Sequence, residues 1–582
     1  MRYPQLTEQP TTRQMVDAFR GYNHNLRISN GEFFDMENMT SDYYPVLSPR
    51  RKRGYYVKPA SPQGIIAKDT ICYVDGSEFV MGEYRVDMGL STAAEDCPKQ
   101  LISMGAYVII MPDKMYINTM DTTDFGNIEA SFTTQDDVTF ELCAITGDTY
   151  TGAAVSPTAP ADPQNLDLWI DTSSEPHTLK RYSEASDTWV NIATTYIRIS
   201  SPGLGRGFKQ YDGVTISGIT AEKVSGLNGT MALWGCGDDY IVVVGVLDTV
   251  VTQAADSGKI TIERRMPKMD FIIESGNRLW GCRYGTALNG DVVNEIYACK
   301  LGDFKNWNCF MNLSTDSYAA SCGTDGQFTG AITHLGYPLF FQENCGHKVF
   351  GNYPANFQIQ DTACRGVQKG CENSLAIVNE TLFYKARSGI CAYDGSLPTE
   401  ASYALGNEAY SEAVGGAHGN KYYVSMKDIT GQWNLFVYDT AKNMWHREDN
   451  FHATAFCSCR NELYAISHGK IITMLGSGDD YEGSLSWMVQ TGEIGITSPD
   501  MKYISRLTVR LSMDVASEVR FYAQYDFCDA WEPLFSMRSD HLRSLSLPIR
   551  PKRCDHMKLR IEGEGMAKIY SITKTIEQGS EL

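Results

Sequence analysis

The chain has 582 residues, 43% of them hydrophobic and 21% charged, and its 70 acidic and 51 basic side chains give a formal net charge of −19 at pH 7. At about 150 residues per domain, this length is enough for roughly three to five domains. The acidic surplus excludes a surface that is basic throughout, as a general nucleic-acid-binding surface would be. The longest apolar run, residues 241–247, is far shorter than the roughly 18 residues that span a bilayer, so we expect no membrane insertion.

No pattern of residues points to a metal, a cofactor or a catalytic centre. The 16 cysteines form no C-x-x-C pair, and none of the 10 histidines completes a zinc-ligand set. Signatures of nucleotide-binding loops, metalloproteases, calcium loops and serine hydrolases are absent as well. We therefore expect no metal, no cofactor and no catalytic residues, and we predict that the protein is not an enzyme. A glycoside hydrolase stays open as an alternative, because spacing in a β-rich chain cannot show whether two carboxyl groups meet.

The first 60 residues are polar and weakly periodic, and such segments order only against another surface. Residues 1–60 are therefore predicted to form an extended N-terminal arm that clasps a neighbouring subunit, so its removal should weaken assembly and leave the monomer folded. One short stretch with helical periodicity predicts a helix over residues 13–20. The arm ends in a basic run, which favours a subunit contact or a solvated turn over a phosphate site. Its members are Arg50, Arg51, Lys52 and Arg53.

From residue 61 onward the chain consists of short strands separated by Gly, Asp and Asn turns, which predicts an all-β fold. Strand pairs rich in aromatic and β-branched residues recur, with a period of about 40 residues that is typical of propeller blades. A β-propeller of about six to eight blades is the prediction, and a β-solenoid or a row of sandwiches is the alternative. The seven clearest copies begin at Thr70, Gly105, Asn277, Tyr337, Glu380, Asn420 and Asn461.

Two other regions interrupt or follow the repeat. Residues 121–265 contain a Pro/Ala/Thr-rich linker between small β units and are predicted to be an inserted β domain between the first blades, 61–120, and the remaining blades, 266–475. Residues 476–582 contain several segments that alternate with period two, so a C-terminal antiparallel β-sandwich is expected there.

The insert contains a short aromatic segment with a candidate binding role. Trp169, Tyr182 and Trp189 lie in a stretch of about 30 residues that resembles the small aromatic β modules of phage fibre and baseplate proteins, which are similar to small chitin-binding domains. Aromatic rings on a small sheet can stack on sugar faces. The alternative is that so small a module uses its aromatic side chains for its own core.

A wider resemblance covers most of residues 25–475. The segments that carry it are residues 32–50, 266–282, 294–307, 351–357, 389–395 and 438–445. Together they resemble the propeller-bearing virion proteins of tailed bacteriophages, especially the packaged-DNA stabilisation or tail-nozzle proteins of short-tailed phages. The insert and the sandwich depart from that pattern.

The resemblance implies a structural tail protein that is assembled in the bacterial cytoplasm into the virion. Its partners would be copies of itself in a ring, other tail or portal-adaptor proteins, and packaged DNA that passes without sequence-specific contact. The acidic surplus fits a conduit that must not hold DNA. The alternative is a tail-tip or baseplate protein that binds host glycans through Trp169, Tyr182 and Trp189.

Overall fold

The computed structural model describes residues 11–92, 99–287, 290–496, 501–526, 528–538, 543–548 and 552–578. Nearly all regular structure in these ranges is β-strand, which confirms the predicted all-β class. The helices among them are short 3₁₀ turns: Glu222–Leu227, Ala255–Ser257, Pro354–Asn356, Glu372–Ser374 and Tyr403–Leu405. None of the helices in the described part of the chain has the length and apolarity needed to cross a membrane.

The N-terminal segment, residues 11–57, supplies strands to several sheets. Its strands are β1 (Thr11–Val16), β2 (Gly21–Tyr22), β3 (Glu32–Glu37), β4 (Met39–Thr40), β5 (Ser48–Pro49) and β6 (Gly54–Val57).

The first two blades follow directly. Blade 1 consists of β7 (Pro62–Ala67), β8 (Ile71–Asp75), β9 (Glu78–Met81) and β10 (Tyr84–Asp87), and blade 2 of β11 (Gln100–Met104), β12 (Tyr107–Met111), β13 (Met115–Asn118) and β14 (Phe125–Asn127).

The insert interrupts the propeller after blade 2. Its strands are β15 (Ala130–Thr133), β16 (Val138–Cys143), β17 (Ala154–Ser156), β18 (Leu168–Asp171), β19 (Thr178–Ser183), β20 (Thr188–Asn191), β21 (Tyr196–Ser200), β22 (Gly213–Ser217), β23 (Gly229–Ala232), β24 (Gly235–Gly237), β25 (Tyr240–Val244), β26 (Val251–Gln253) and β27 (Thr261–Arg264).

Five further blades complete the described propeller. Blade 3 is β28 (Phe271–Ser275), β29 (Arg278–Thr286), β30 (Val292–Ala298) and β31 (Tyr318–Ser321); blade 4 is β32 (Phe328–His334), β33 (Tyr337–Gln342), β34 (Cys345–Phe350) and β35 (Gln358–Ala363); blade 5 is β36 (Ala376–Val378), β37 (Thr381–Ala386), β38 (Gly389–Tyr393) and β39 (Thr399–Glu400); blade 6 is β40 (Tyr410–His418), β41 (Lys421–Asp428), β42 (Trp433–Asp439) and β43 (Met444–Arg447); blade 7 contains β44 (Ala455–Cys459), β45 (Glu462–Ser467) and β46 (Lys470–Thr473).

The C-terminal region then adds its own strands. They are β47 (Asp479–Asp480), β48 (Ser486–Thr491), β49 (Lys502–Met513), β50 (Glu518–Tyr525), β51 (Glu532–Arg538), β52 (Arg543–Leu547), β53 (Arg553–Cys554), β54 (Met557–Glu564) and β55 (Ala567–Gln578).

Each of the seven repeat copies begins at or just before the second strand of a blade. The hairpin that leads into this strand is tight; in blade 3, for example, Gly276 and Asn277 both have left-handed φ values, 60° and 59°. A two-residue turn with two such residues matches the right-handed twist of the flanking strands. In the strand that follows, alternate side chains point to opposite faces of the blade, and each face is buried against a neighbouring blade. The repeat is visible in the sequence because every blade has these same requirements.

The propeller closes through the N-terminal segment. Strand β44 of blade 7 packs beside β7 of blade 1, and β6 pairs antiparallel with β46 as the fourth strand of blade 7. A strand from the start of the propeller chain thus completes its last blade. This covers the edge that β46 would otherwise expose.

The predicted extended arm is corrected by these pairings. Of residues 1–60, the first ten lie outside the described residues. The strands of the remaining part pair with later strands of the chain: β1 with β55, β2 with β43, β3 with β48 and β6 with β46. The helix predicted over residues 13–20 is wrong, since Thr11–Val16 is a strand. The edge of β55 offers this short, weakly periodic segment a full set of backbone partners, which outweighs its local helical preference.

The sandwich shares a sheet with the propeller. One sheet runs β40-β41-β42-β43-β2-β3-β48-β54-β50-β51, so blade 6 continues through the N-terminal segment into the C-terminal region. The facing sheet has the order β1-β55-β49-β52, with β53 also beside β49. Between them lie buried side chains that include Phe33, Val489, Leu507, Phe521 and Ile561. The alternation in β49, buried at every second position over most of its length, has the period predicted from the sequence.

The insert is a small sandwich fixed to blade 3. Its sheets, β15-β27-β22-β23 and β24-β25-β21-β16-β26, enclose a common apolar core. Its buried Asp212 accepts a hydrogen bond of 2.5 Å from Arg264 and one of 2.9 Å from Asn306, which belongs to the loop after β30. A third sheet, β17-β18-β19-β20, extends from this sandwich and carries the predicted aromatic residues.

Candidate functional site

The three predicted aromatic side chains meet on one face of the small β17–β20 sheet. Tyr182 on β19 lies directly opposite Trp189 on β20, and Trp169 on β18 lies opposite Lys180, two residues before Tyr182. Side chains two apart on a strand share a face. The ring centroids are 5.4 Å apart for Trp169 and Trp189 and 5.5 Å apart for Tyr182 and Trp189. We call these three residues the aromatic platform.

Trp169 forms the floor of the platform. Its side chain is buried, with only 5% of the residue exposed, and its indole N–H donates to the carbonyl of Ser156 over 2.9 Å. The Lys180 ammonium lies 4.7 Å from the ring centroid. Trp169 is therefore a positioning residue that holds Trp189, as the core alternative predicts, whereas Tyr182 and Trp189 are only half-buried and present accessible ring surface.

The opposite face of the same sheet is the packed one. Ile170 and Leu179 alternate with the platform residues and are buried against Leu142 of the insert sandwich. Because this face packs on the insert core, the platform points away from it. A small sheet with one apolar inner face and one aromatic outer face can bind a flat apolar surface such as the face of a sugar ring.

Charged groups surround the platform. The Tyr182 hydroxyl donates to Asp187 Oδ1 over 2.5 Å, and this hydrogen bond raises the pKa of the tyrosine. Lys180 donates to Asp171 Oδ2 over 2.7 Å, which together with hydrogen bonds from Ser173 lowers the pKa of Asp171 to about 2. Asp187 lies in the turn between β19 and β20 with a left-handed φ of 50°, so its carboxylate is fixed at the end of the platform.

The predicted basic run does not form a single exposed patch. Arg50 and Arg53 are buried, with 4% and 2% of each residue exposed, whereas Arg51 and Lys52 are exposed. The subunit-contact role thus remains a prediction that now rests on Arg51 and Lys52 alone, because a guanidinium held inside the chain cannot reach a neighbour.

The two buried guanidinium groups bind carboxylates of other elements. Arg53 donates to Asp449 and Glu448 over 2.7 Å each, and Arg50 donates to Glu482 over 2.8 Å. Burial alone would raise the pKa of Asp449, but Arg53 outweighs it and the pKa is lowered. We call this set the arginine cluster; it ties the N-terminal segment to the ends of β43 and β47.

A cavity of 370 Å³ beside the arginine cluster holds two more carboxylates. Asp42 is paired with Lys421 at 2.5 Å, and Asp439 with Lys442 at 2.9 Å. Burial would raise the pKa of each carboxyl, yet Lys421 lowers the pKa of Asp42. A hydrogen bond from Ser41, together with Lys442, likewise lowers the pKa of Asp439. Both carboxyl groups are therefore ionised near neutral pH. This pair lacks the protonated carboxyl that a glycosidase uses as general acid. Within the described ranges no three His, Cys, Asp or Glu side chains are grouped to hold a metal ion.

Sequence reasoning missed Asp187 and the acidic partners of the arginine cluster. Asp187 could have been found, since Asp favours turns and tolerates a left-handed conformation between two strands. Glu448, Asp449 and Glu482 could not, because nothing local indicates that they meet a segment 395 to 432 residues away in sequence.

Comparisons with known proteins identify no family. No family model matches the chain, and no curated protein matches it. Among solved structures, the chain is similar to an exo-β-1,3-galactanase from Phanerochaete chrysosporium (7% identity, 52% of this chain and 94% of that chain, TM-score 0.19). It is also similar to a glycoside hydrolase family 43 arabinoxylan arabinofuranohydrolase from Bacillus subtilis (7% identity, 53% and 95%, TM-score 0.17). A third is Trypanosoma rangeli sialidase (8% identity, 98% and 96%, TM-score 0.20).

The prediction that this protein is not an enzyme is corrected by these findings, since the three structures are carbohydrate-active enzymes. Absence of a sequence motif was a poor basis for that prediction, because paired carboxylates leave no signature in a β-rich chain. At these identities and TM-scores the similarities transfer no reaction and no substrate to this chain.

Proposed function

We propose that the protein is a structural component of a bacteriophage virion, a subunit of a tail ring at the nozzle or hub below the portal, which surrounds the passage of packaged DNA. The proposal starts from the resemblance of several segments to tail-nozzle proteins. Two of them, residues 266–282 and 294–307, build most of the first three strands of blade 3. Residues 32–50 supply β3, β4 and β5.

The observation that carries the proposal is the continuous ten-stranded sheet from β40 to β51. Through it the propeller and the sandwich share backbone hydrogen bonds and one apolar core, and the arginine cluster fixes the same junction. A closed propeller joined in this way to a second domain is a stiff block. Stiff blocks of this kind suit a closed ring, because each interface then repeats the same rotation.

Electrostatics supports the same role. A formal charge of −19 gives the subunit a field that repels phosphate backbones. A ring built from such subunits lets DNA pass with little retention. A ring whose lumen proved strongly basic would contradict this part of the proposal.

Electron microscopy of the purified chain, combined with light scattering after size exclusion, tests the proposal. We expect symmetric rings, either from the protein alone or after addition of the portal complex of the phage that encodes it. Gold-labelled antibody should then mark the tail below the portal in intact particles. A protein that stays monomeric with its portal and is absent from purified particles would overturn the proposal.

A second candidate function is recognition of host glycans, and the aromatic platform favours it. Tyr182 and Trp189 are half-buried, rest on a fixed Trp169 and point away from the insert core. A glycan array tests this function. We expect binding by the full chain that is lost in Trp189→Ala and retained in Tyr403→Ala. The control removes an aromatic side chain that is 75% exposed in the 3₁₀ turn after blade 5. Equal binding by both variants would contradict it.

A further inference from the structure

The two faces of the β17–β20 sheet carry different charged side chains. This difference determines which glycans the aromatic platform can accept. Residues 164–191, which contain the platform, hold five acidic side chains and two basic ones, Lys180 and Arg181. A ligand that stacks on the Tyr182 ring or on the Trp189 ring meets the charges on their face of the sheet. The position of each charged group therefore decides the sign of the field at the ligand.

Neither basic side chain is available to an acidic sugar. Lys180 is on the platform face, but its ammonium is 2.7 Å from Asp171 Oδ2 and 4.7 Å from the Trp169 ring centroid. Asp171 thus neutralises the charge of Lys180, and the side chain is held against the Trp169 ring. Arg181 lies between Leu168 and Val190 in the register, one residue from both Lys180 and Tyr182, and so belongs to the opposite face.

The acidic groups, in contrast, lie at the accessible rings. The Asp187 carboxylate is 2.5 Å from the Tyr182 hydroxyl and is exposed to solvent. Glu184, in the same turn, lies close enough for its charge also to raise the pKa of Tyr182. The Tyr182 and Trp189 rings are inclined by 60° to each other, so one sugar ring stacks on one of them at a time. A sugar stacked on Tyr182 has the Asp187 carboxylate beside its ring edge, where its substituents project.

We propose that the aromatic platform selects glycans without acidic groups, that is, uncharged or amine-bearing pyranosides, and rejects those that carry carboxylates or phosphates. This inference rests on the glycan-binding function proposed above and adds the class of ligand. The rings supply the stacking contact, and Asp187 with Glu184 supplies the repulsion that excludes an anionic competitor.

Three oligosaccharides of equal length test the selection: an N-acetylglucosamine pentamer, its de-N-acetylated glucosamine counterpart and a galacturonate pentamer. Binding to the full chain is measured by titration calorimetry. We expect the first two to bind and the galacturonate to bind at least about tenfold more weakly at low salt. Raising the salt concentration from about 20 mM to about 200 mM should reduce this difference in affinity, because screening weakens repulsion between exposed charges.

Charge-neutral variants locate the effect. Asp187→Asn keeps the turn, since Asn adopts the left-handed conformation readily, and should reduce the difference in affinity between the uncharged pentamer and the galacturonate pentamer. Asp394→Asn, in an exposed turn of blade 5 where Asp394 accepts from Ser396, is the matched control and should change nothing.

Two outcomes overturn the inference in distinguishable ways. If galacturonate binds the full chain as tightly as the uncharged pentamer, or if the difference in affinity is the same in Asp187→Asn and Glu184→Gln as in the unmodified chain, the selection by charge is wrong and glycan binding stands. If none of the three pentamers binds, the selection and the glycan-binding proposal fail together.

Discussion

Tyr55 of β6 lies opposite Ile472 of β46 in the ladder that completes blade 7. The two residues are near opposite ends of the propeller chain, so this pairing closes the ring of blades. Closure also places the N-terminal segment between the propeller and the sandwich. Four predictions follow from this arrangement and from the aromatic platform.

Deletion of residues 1–57 should unfold the protein rather than only weaken its assembly. The deletion removes β6 from blade 7 and β2 and β3, with the buried Phe33, from the ten-stranded sheet. Strand edges and core residues that this segment covers, such as Val489 of β48, are then exposed. Thermal unfolding followed by circular dichroism checks this. Deletion of residues 1–16, which takes β1 from a sheet edge, is the control and should retain a cooperative transition. A 1–57 deletion that melts like the full chain would show that the segment is an independent arm.

Arg53→Met should lower the free energy of unfolding by about 3–5 kcal/mol, because it removes the closest guanidinium partner of the buried Glu448 carboxylate and of the half-buried Asp449 carboxylate. Guanidinium-induced unfolding measures this change. Arg51→Met replaces an exposed arginine and should stay within about 0.5 kcal/mol of the unmodified chain. If the two variants proved equally stable, the arginine cluster would contribute nothing to the junction.

His446 should make stability fall as the pH drops below neutrality. Its side chain is buried on β43, and burial, with Lys421 and Lys442 adding to the effect, lowers its pKa to about 3. Between that value and the ordinary pKa of about 6.5, only the unfolded chain binds the proton, so the free energy of unfolding falls by up to about 1.4 kcal/mol per pH unit.

Melting temperatures between pH 4 and 8, at an ionic strength of about 0.1 M, measure the His446 effect. We expect the slope below pH 6.5 to be shallower in His446→Gln than in the unmodified chain. His468→Gln, at an exposed histidine, should leave the slope as it is. Identical slopes in all three proteins would mean that His446 titrates normally.

Trp169→Ala should mainly reduce the local stability of the small sheet, whereas Trp189→Ala should mainly reduce glycan binding. Removing the buried Trp169 takes away the floor of the platform and should cost about 3–5 kcal/mol in the local stability of the small sheet. Removing the half-buried Trp189 should abolish glycan binding with a much smaller effect on folding. Hydrogen exchange of residues 168–191 separates the two, since only Trp169→Ala should accelerate it. Equal exchange in both variants would assign Trp189 to the core as well.

Much of the fold could be predicted because its signals are local. The seven repeat copies mark the second strands of the seven blades, since a tight hairpin followed by a buried period-two strand has the same sequence requirements each time. The platform was partly predictable for the same reason. Tyr182 and Trp189 flank one hairpin, so their shared face follows from strand periodicity. The burial of Trp169 did not, because it depends on Ser156 and the parallel strand β17.

By itself, the sequence determined the all-β class, the propeller repeat, the position of the insert and the alternation of the C-terminal strands. All of these follow from side-chain periodicity and turn residues within a few positions. Only the tertiary structure decided the conformation of the N-terminal segment and the burial of its side chains. Its strands and its buried Arg50 and Arg53 find their partners hundreds of residues later. A polar segment with little periodicity of its own takes its conformation from the strand edges and carboxylates that the rest of the chain presents to it.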